Sequence, residues 1–265
     1  MNSIKVGSLA EFEEQLELMS ESLKELRTQK DGNYFSDMLF RGQSSSNWKL
    51  ETSLDRIGLG SISMTEYNRY MLRIKPAIES FTGQSYTVDE FENDKFVPVT
   101  TVPSYHFMTY VRHHGFPTPL LDWSRSPYVA LFFAFQKAIE SDSVSIYVYI
   151  DCVGEGKGGY TSEPMIHELG PYISTHKRHF LQQSQYTVCV KKENDEWMYC
   201  GHESFYMPTA VRDQCVMYKI DLPGSLKKDV LKKLDMMNIN AFSLYANEEG
   251  LMEMLAFREM ISDQI

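Results

Sequence analysis

Between Ser143 and Asp151 apolar Val144, Ile146, Val148 and Ile150 alternate with Ser145, Tyr147 and Tyr149, a period of two that predicts a strand. Helical spacing appears first near the N-terminal end, where Leu9, Phe12, Leu16, Leu23 and Leu26 follow Ser8 and Glu11, the two partners of a capping box. An amphipathic helix is expected there, ending near Thr28. Asp31, Gly32 and Asn33 make a turn, and Asp37 to Gly42 reads as a short strand with Arg41 at its exit. Thr65 to Ile78 is helical in pattern and interrupted by Pro76, whereas Gly83 to Pro103 is polar, acidic and aperiodic, hence a loop or insertion. Pro103 opens a helix through Tyr105, Met108 and Val111 that Gly115 closes.

The segment from Gly115 to Ser124 is too rich in proline for a helix, and its Leu120 and Leu121 suit one buried strand. Pro127 stands at a first helical position, and Val129 to Ala138 is apolar nearly all round, so this helix is expected to be the most buried. Later strands are predicted at Tyr186 to Lys191, Trp197 to Cys200 and Gln214 to Ile220, with helices near Tyr172 to Gln182, Leu226 to Met236 and Glu248 to Ile261. Strands and helices mix without a regular βαβ repeat. The expected fold is therefore α+β, a mixed, mostly antiparallel sheet flanked by helices, in one domain over 1–265 with a helix in 1–30 and a core over about 36–258.

Composition narrows the classes of function. The chain has 265 residues, of which 43% are hydrophobic and 23% charged, enough apolar material for a packed core. Its 26 basic and 36 acidic side chains give a formal charge of -10, which repels phosphate backbones unless basic groups concentrate locally. The longest apolar run, Tyr128 to Phe135, is far short of the roughly 20 residues of a membrane helix. The first residues lack the apolar centre of a signal peptide, and Cys152, Cys189, Cys200 and Cys215 are widely spaced, as expected of reduced thiols in a cytoplasm.

Several motifs have an ordinary reading. Gly154 to Gly159 matches GxGxxG literally, but the residues behind it run to Pro164 without a helix to meet a pyrophosphate, so a glycine turn is preferred. His176, His179, Cys200 and His202 match no standard zinc spacing, and no metal is assigned. The pairs Lys227, Lys228 and Lys232, Lys233 read as the solvated face of a helix. Polar chemistry concentrates in two places. One is Phe40, Arg41, Gly42 and Gln43, where a planar five-donor guanidinium at a glycine turn suits a phosphate or carboxylate. The other is the knot of His113, His114, Thr118, Asp122, Trp123 and Ser124, whose polar groups need either a ligand or one another, for example an ion pair of Arg41 or Arg56 with Asp122.

These two clusters carry a resemblance. Phe40 to Gln43 with Trp48, Leu50, Ser53 and Arg56, then His114 to Ser124 and Ser126 to Ala134, resemble the FRG domain family. Arg178, the stretch Gln182 to Thr187, and Ser243 to Leu251 are similar to its later segments, with departures at Pro119, Ser184 and Ala246, where arginine, glycine and proline are usual. The order of Arg41, Ser124, the helix with Ala130 and Phe133 and the next strand is also similar to arginine-type ADP-ribosyltransferases. That second resemblance implies an enzyme cleaving the nicotinamide-ribose bond of NAD, as a transferase to a protein or nucleic-acid acceptor or as a glycohydrolase. It makes Arg41 the anchor of the NAD diphosphate and Gly42, Gln43, Arg56, His114, Thr118, Asp122, Trp123 and Ser124 the pocket. The glutamate that would stabilise the oxocarbenium-like state has no counterpart in sequence; Gln182, Gln183 or Gln185 stands at its place, with Gln183 taken as the candidate, and Glu248 or Glu249, with Glu249 taken as the candidate, could substitute unless they merely complement a helix dipole beside Asn247. The alternative is a non-catalytic module binding a nucleotide or a partner, in a bacterial or phage conflict system.

Overall fold

The chain opens with a short strand, β1 (Asn2–Lys5), ahead of the first helix, α1 (Leu9–Gln29). It continues with β2 (Tyr34–Phe35), β3 (Leu39–Gln43), β4 (Ile62–Ser63), α2 (Met64–Thr82), α3 (Tyr105–His113), β5 (Leu120–Ser124), α4 (Pro127–Gln136), β6 (Ser143–Val153) and β7 (Met165–Leu169). The last part holds α5 (Lys177–Leu181), β8 (Ser184–Glu193), β9 (Glu196–Tyr199), β10 (Cys215–Pro223), α6 (Lys227–Met236), α7 (Ala241–Tyr245) and α8 (Glu248–Ala256). This computed structural model describes residues 2–29, 34–93, 102–153, 163–170, 177–203 and 215–261. The glycine motif at 154–159 and His176 lie outside the described residues.

The strands form one sheet in the order β1, β10, β6, β3, β5, β8, β9, β4, with β2 also on β6 and β7 also on β8. Every pairing is antiparallel except β1 on β10, so the fold is α+β with a mostly antiparallel sheet, as expected. The alternation in β6 sorts residues between two cores rather than between core and water. Val144, Ile146 and Val148 pack with Phe40 and Ile220 beneath α4, α1 and α6, while Tyr147 and Tyr149 pack on the other face with Leu39, Leu121 and Trp123. A third cluster joins α2 and α3 to β8 and β9 through Met64, Tyr67, Phe107, Val188 and Trp197.

Local signals explain most boundaries. The Glu11 N–H donates to Ser8 Oγ at 3.2 Å and the Glu11 carboxylate accepts the Gly7 N–H at 2.8 Å, fixing the start of α1. Ser126 caps α4 by accepting the Val129 N–H at 3.3 Å, and Pro127 comes next, where a missing N–H does no harm. Helix α4 buries Val129, Ala130, Leu131, Phe132, Ala134 and Phe135.

Two expectations need correction, and two short elements had no forecast. The first element is β1, not a helix; its residues show no apolar alternation, and it exists because Ile4 pairs with Ile220 across the sheet edge. Arg41 sits in the middle of β3 instead of at its exit, because β6 continues the pairing to Gln43. Strand β7 and helix α7 have no sequence signature: each is five residues long, too short for a period to show. Of the helix expected near 172–182, the part before residue 177 lies outside the described residues, and the described part is α5, Lys177–Leu181. Among the described residues, no helix is long and apolar enough to cross a membrane.

Candidate functional site

Strand β3 lies between β5 and β6, with Phe40 opposite Ser124 and Arg41 opposite Tyr147. This places the Arg41 side chain, 13% exposed, beside Asp122 of β5. Arg41 Nη1 donates to the Asp122 backbone carbonyl at 2.7 Å and lies 3.9 Å from Asp122 Oδ2. Its Nε is buried and makes no hydrogen bond among the described residues. The main partner of the Asp122 carboxylate is neither Arg41 nor Arg56 but Arg112, from the last turn of α3. Arg112 Nε donates to Oδ1 at 2.6 Å and Nη2 donates to Oδ2, a bidentate fork. The remaining Arg112 nitrogen, Nη1, reaches Ser53 Oγ at 2.7 Å and Thr118 Oγ1 at 3.3 Å.

Burial alone would raise the Asp122 carboxyl, but Arg112, with Arg41 and His113 behind it, outweighs that and holds it below the usual carboxylate value. Burial likewise works against the Arg112 charge, and Asp122 reverses the sign, leaving Arg112 above its usual value. Arg41 has no such compensation; burial, with Arg112 and Arg56 adding repulsion against the pull of Asp122, brings it down to about 10, still cationic at neutral pH. Because the folded-state value of Asp122 is depressed, its contribution to stability is full above the unfolded value of about 3.9 and is lost as pH falls through the folded value. The difference in unfolding free energy between wild type and Asp122→Asn is therefore expected to shrink below about pH 4, measured by urea titration at stepped pH. A difference that stays constant into acid would remove the carboxylate charge from the account.

Above this floor opens a cavity of about 430 Å³. Arg41, Arg112 and Asp122 line it, the exposed Arg56 stands at its edge, and Trp48, which is 56% exposed, and Phe133 add aromatic wall. Three arginines thus face one carboxylate among the described lining residues, a local positive field in a chain of formal charge -10. Gln43 also lines the cavity; its Nε2 donates to the Lys49 carbonyl at 3.1 Å while its buried Oε1 has no partner among the described residues. Trp123 is held by its indole N–H donating to Thr187 Oγ1 at 2.8 Å, and the Thr187 hydroxyl donates to His202 Nε2 at 2.8 Å. Burial, with Arg41 and Arg112 adding to it, lowers His202 to about 3, so it is neutral and able to accept.

Of the eleven residues assigned from the resemblance as anchor, pocket or acid, seven meet at this cavity: Arg41, Gly42, Gln43, Arg56, Asp122, Trp123 and Ser124. Four do not line it. Thr118 is fully buried and supports Arg112 from behind. His114 turns instead to a second cavity, of about 990 Å³, with its ring 4.6 Å from that of Tyr110. Gln183 is an exposed turn residue with φ of 48°, its carbonyl accepting the Arg125 N–H at 3.0 Å. Glu249 is exposed in the first turn of α8, where Asn247 caps the helix by accepting the Gly250 N–H at 3.0 Å, so the helix-dipole reading accounts for it. Arg112 escapes sequence reasoning because a cation in the last turn of a helix ordinarily complements the dipole; its nearness to the polar knot was the available signal. Among the described residues, no group of three or more His, Cys, Asp or Glu is placed to hold a metal.

Residues 36–143 match the model of the FRG domain family. The match takes in β3, α3, β5 and α4, and with them Arg41, Arg56, Arg112, Asp122 and Phe133. No curated protein and no solved structure matches the chain significantly.

Proposed function

We propose that the FRG domain of this chain binds a phosphate-bearing small molecule of the nucleotide class, with NAD and ADP-ribose as the first candidates, and acts as a binding module. One observation supports this above the others: among the described residues, the Arg41 guanidinium, fixed on an inner strand with a buried, unpartnered Nε, lies in a cavity where three arginines face one carboxylate. A guanidinium is a rigid fork whose geometry matches phosphate oxygens, and a buried N–H without a partner is a standing cost that an acceptor relieves. The cavity volume, about 430 Å³, falls in the range of small-ligand pockets, and Trp48 and Phe133 offer the apolar surface that a base or ribose needs.

The residues fit a diphosphate better than they fit cleavage of the nicotinamide bond. Stabilising an oxocarbenium-like state takes a carboxylate at the anomeric carbon. Asp122, the sole carboxylate among the described lining residues, has both oxygens bonded to Arg112, and neither Glu249 nor Gln183 lines the cavity. These residues therefore support binding without cleavage.

Calorimetric titration with ADP-ribose and NAD tests the reading. Arg41→Met, which keeps the length of the side chain and removes its donors, is expected to weaken binding about tenfold or more while circular dichroism stays native, since a hydrogen bond to a charged group contributes about 1.5–3 kcal/mol. Equal affinity in the variant would remove Arg41 from the site. Failure of wild type to bind either compound would end the nucleotide reading, and nicotinamide release from NAD would replace the module with an enzyme.

A further inference from the structure

The turn between β8 and β9 sets two cysteines face to face. Asn194 and Asp195 both take positive φ, 49° and 62°, and Glu193 pairs with Glu196 across them, the form of a two-residue hairpin turn of the I′ type. Such a turn fixes the register. It runs through Lys191 opposite Met198 and Val190 opposite Tyr199, which puts Cys189 opposite Cys200. The Cys200 N–H donates to the Cys189 carbonyl at 2.9 Å, as in a hydrogen-bonded pair of an antiparallel ladder. The α-carbons of such a pair stand about 5.5 Å apart, inside the range of about 4.4–6.8 Å that a disulfide bridges. The two sulfur atoms lie 3.2 Å apart, and both are reduced.

The sulfurs differ in what can reach them. Cys189 is fully buried and packs in the cluster of Leu50, Leu121 and Ile166. Cys200, although buried, lines a third cavity, of about 340 Å³, which shares no lining residue with the arginine cavity. Lys49 and Lys191 line it together with Glu51, Asp55 and Glu203. Burial, with Cys200, Asp55 and Cys215 adding to it, raises the Cys189 thiol well above its usual value. Cys189 therefore keeps its proton, and Cys200 is the sulfur that a small oxidant meets first.

We propose that Cys189 and Cys200 form a dithiol that hydrogen peroxide converts to a disulfide, joining β8 to the residue that follows β9. The Cys200 sulfur attacks one peroxide oxygen and breaks the O–O bond. This leaves a sulfenic acid on Cys200, and the departing hydroxide takes the Cys200 thiol proton to become water. The Cys189 sulfur then attacks the Cys200 sulfur: the S–S bond forms, the S–O bond breaks, and the second hydroxide leaves with the Cys189 proton as water. Two electrons pass from the sulfurs to the peroxide. Because the second thiol is already in contact, the sulfenic acid is consumed before another peroxide can carry it to sulfinic acid.

The test is peptide mapping by mass spectrometry of the native chain, incubated with excess hydrogen peroxide and then alkylated under denaturing conditions. Trypsin cuts after Lys191 and Lys192, between the two cysteines, so the disulfide appears as a pair of peptides that a reductant separates. Alkylation at Cys189 and at Cys200 is expected to be lost together and in equal proportion. In Cys189→Ala the linked pair should vanish and Cys200 should go on to sulfinic acid, whereas Cys215→Ser should give the link in wild-type yield. Three results would overturn the proposal, each readable in wild type alone: Cys189 linked to Cys215 or Cys152, Cys200 over-oxidised beside an alkylatable Cys189, or both thiols still alkylatable after Cys152 and Cys215 have reacted.

Discussion

Gly42→Ala is expected to destabilise the protein by about 3 kcal/mol or more, or to prevent it from folding. Strand β3 and helix α4 touch backbone to backbone at this residue. A Cβ on Gly42 would overlap the Ala130 carbonyl oxygen and come within 2.9 Å of its carbon and 2.7 Å of the Ala134 nitrogen. All three are main-chain atoms, and no side-chain rotation relieves the clash. The helix would have to move, yet Leu131 and Phe135 hold it in the core against β6. Urea unfolding of the purified variant is the measurement. A midpoint within error of wild type would show that the strand and the helix do not meet so closely. The result also decides why the glycine stands beside Arg41: close packing accounts for it without a ligand.

The second large effect is expected at Arg112. Arg112→Met should cost about 3 kcal/mol, the lower end of the penalty for removing one partner of a buried ion pair. The lower end applies because the Asp122 side chain is 40% exposed and keeps part of its hydration. In the variant the carboxylate retains Arg41 at 3.9 Å, while Ser53 and Thr118 lose their donor. Adding Asp122→Asn to Arg112→Met should recover more than half of the loss, because the stranded charge, not the missing contact, is the larger part. Chemical denaturation of the two single variants and the double variant closes the cycle. A double variant no more stable than Arg112→Met would make Arg112 a packing residue and leave its charge irrelevant to the fold.

The cavity unites residues far apart in the chain, and its legibility in sequence was uneven for a physical reason. Arg41, Asp122, Trp123 and Ser124 were visible because permanently charged or polar groups flanked by apolar strands demand partners. Gln183 matches the missing glutamate only in order along the chain and Glu249 only in being an acid on a later helix, and neither order nor residue type fixes distance. Thr118 was rightly singled out as a polar residue entering the interior, but its partner there is Arg112 instead of a ligand.

Periodicity and capping chemistry alone determined α1, the buried helix α4 and the long strand β6, since in each the local pattern and the burial agree over many residues. Tertiary structure decided the rest. It recruited β1 and β7 by pairing, because a short strand owes its existence to the neighbour that satisfies its backbone. It gave both faces of β6 a core and chose Arg112 over Arg41 as the fork on Asp122, because only the packing of α3 against the sheet sets which guanidinium arrives with two donors aligned. Sequence named the charges, and the three-dimensional arrangement determined which of them neutralise one another and which remain facing the cavity.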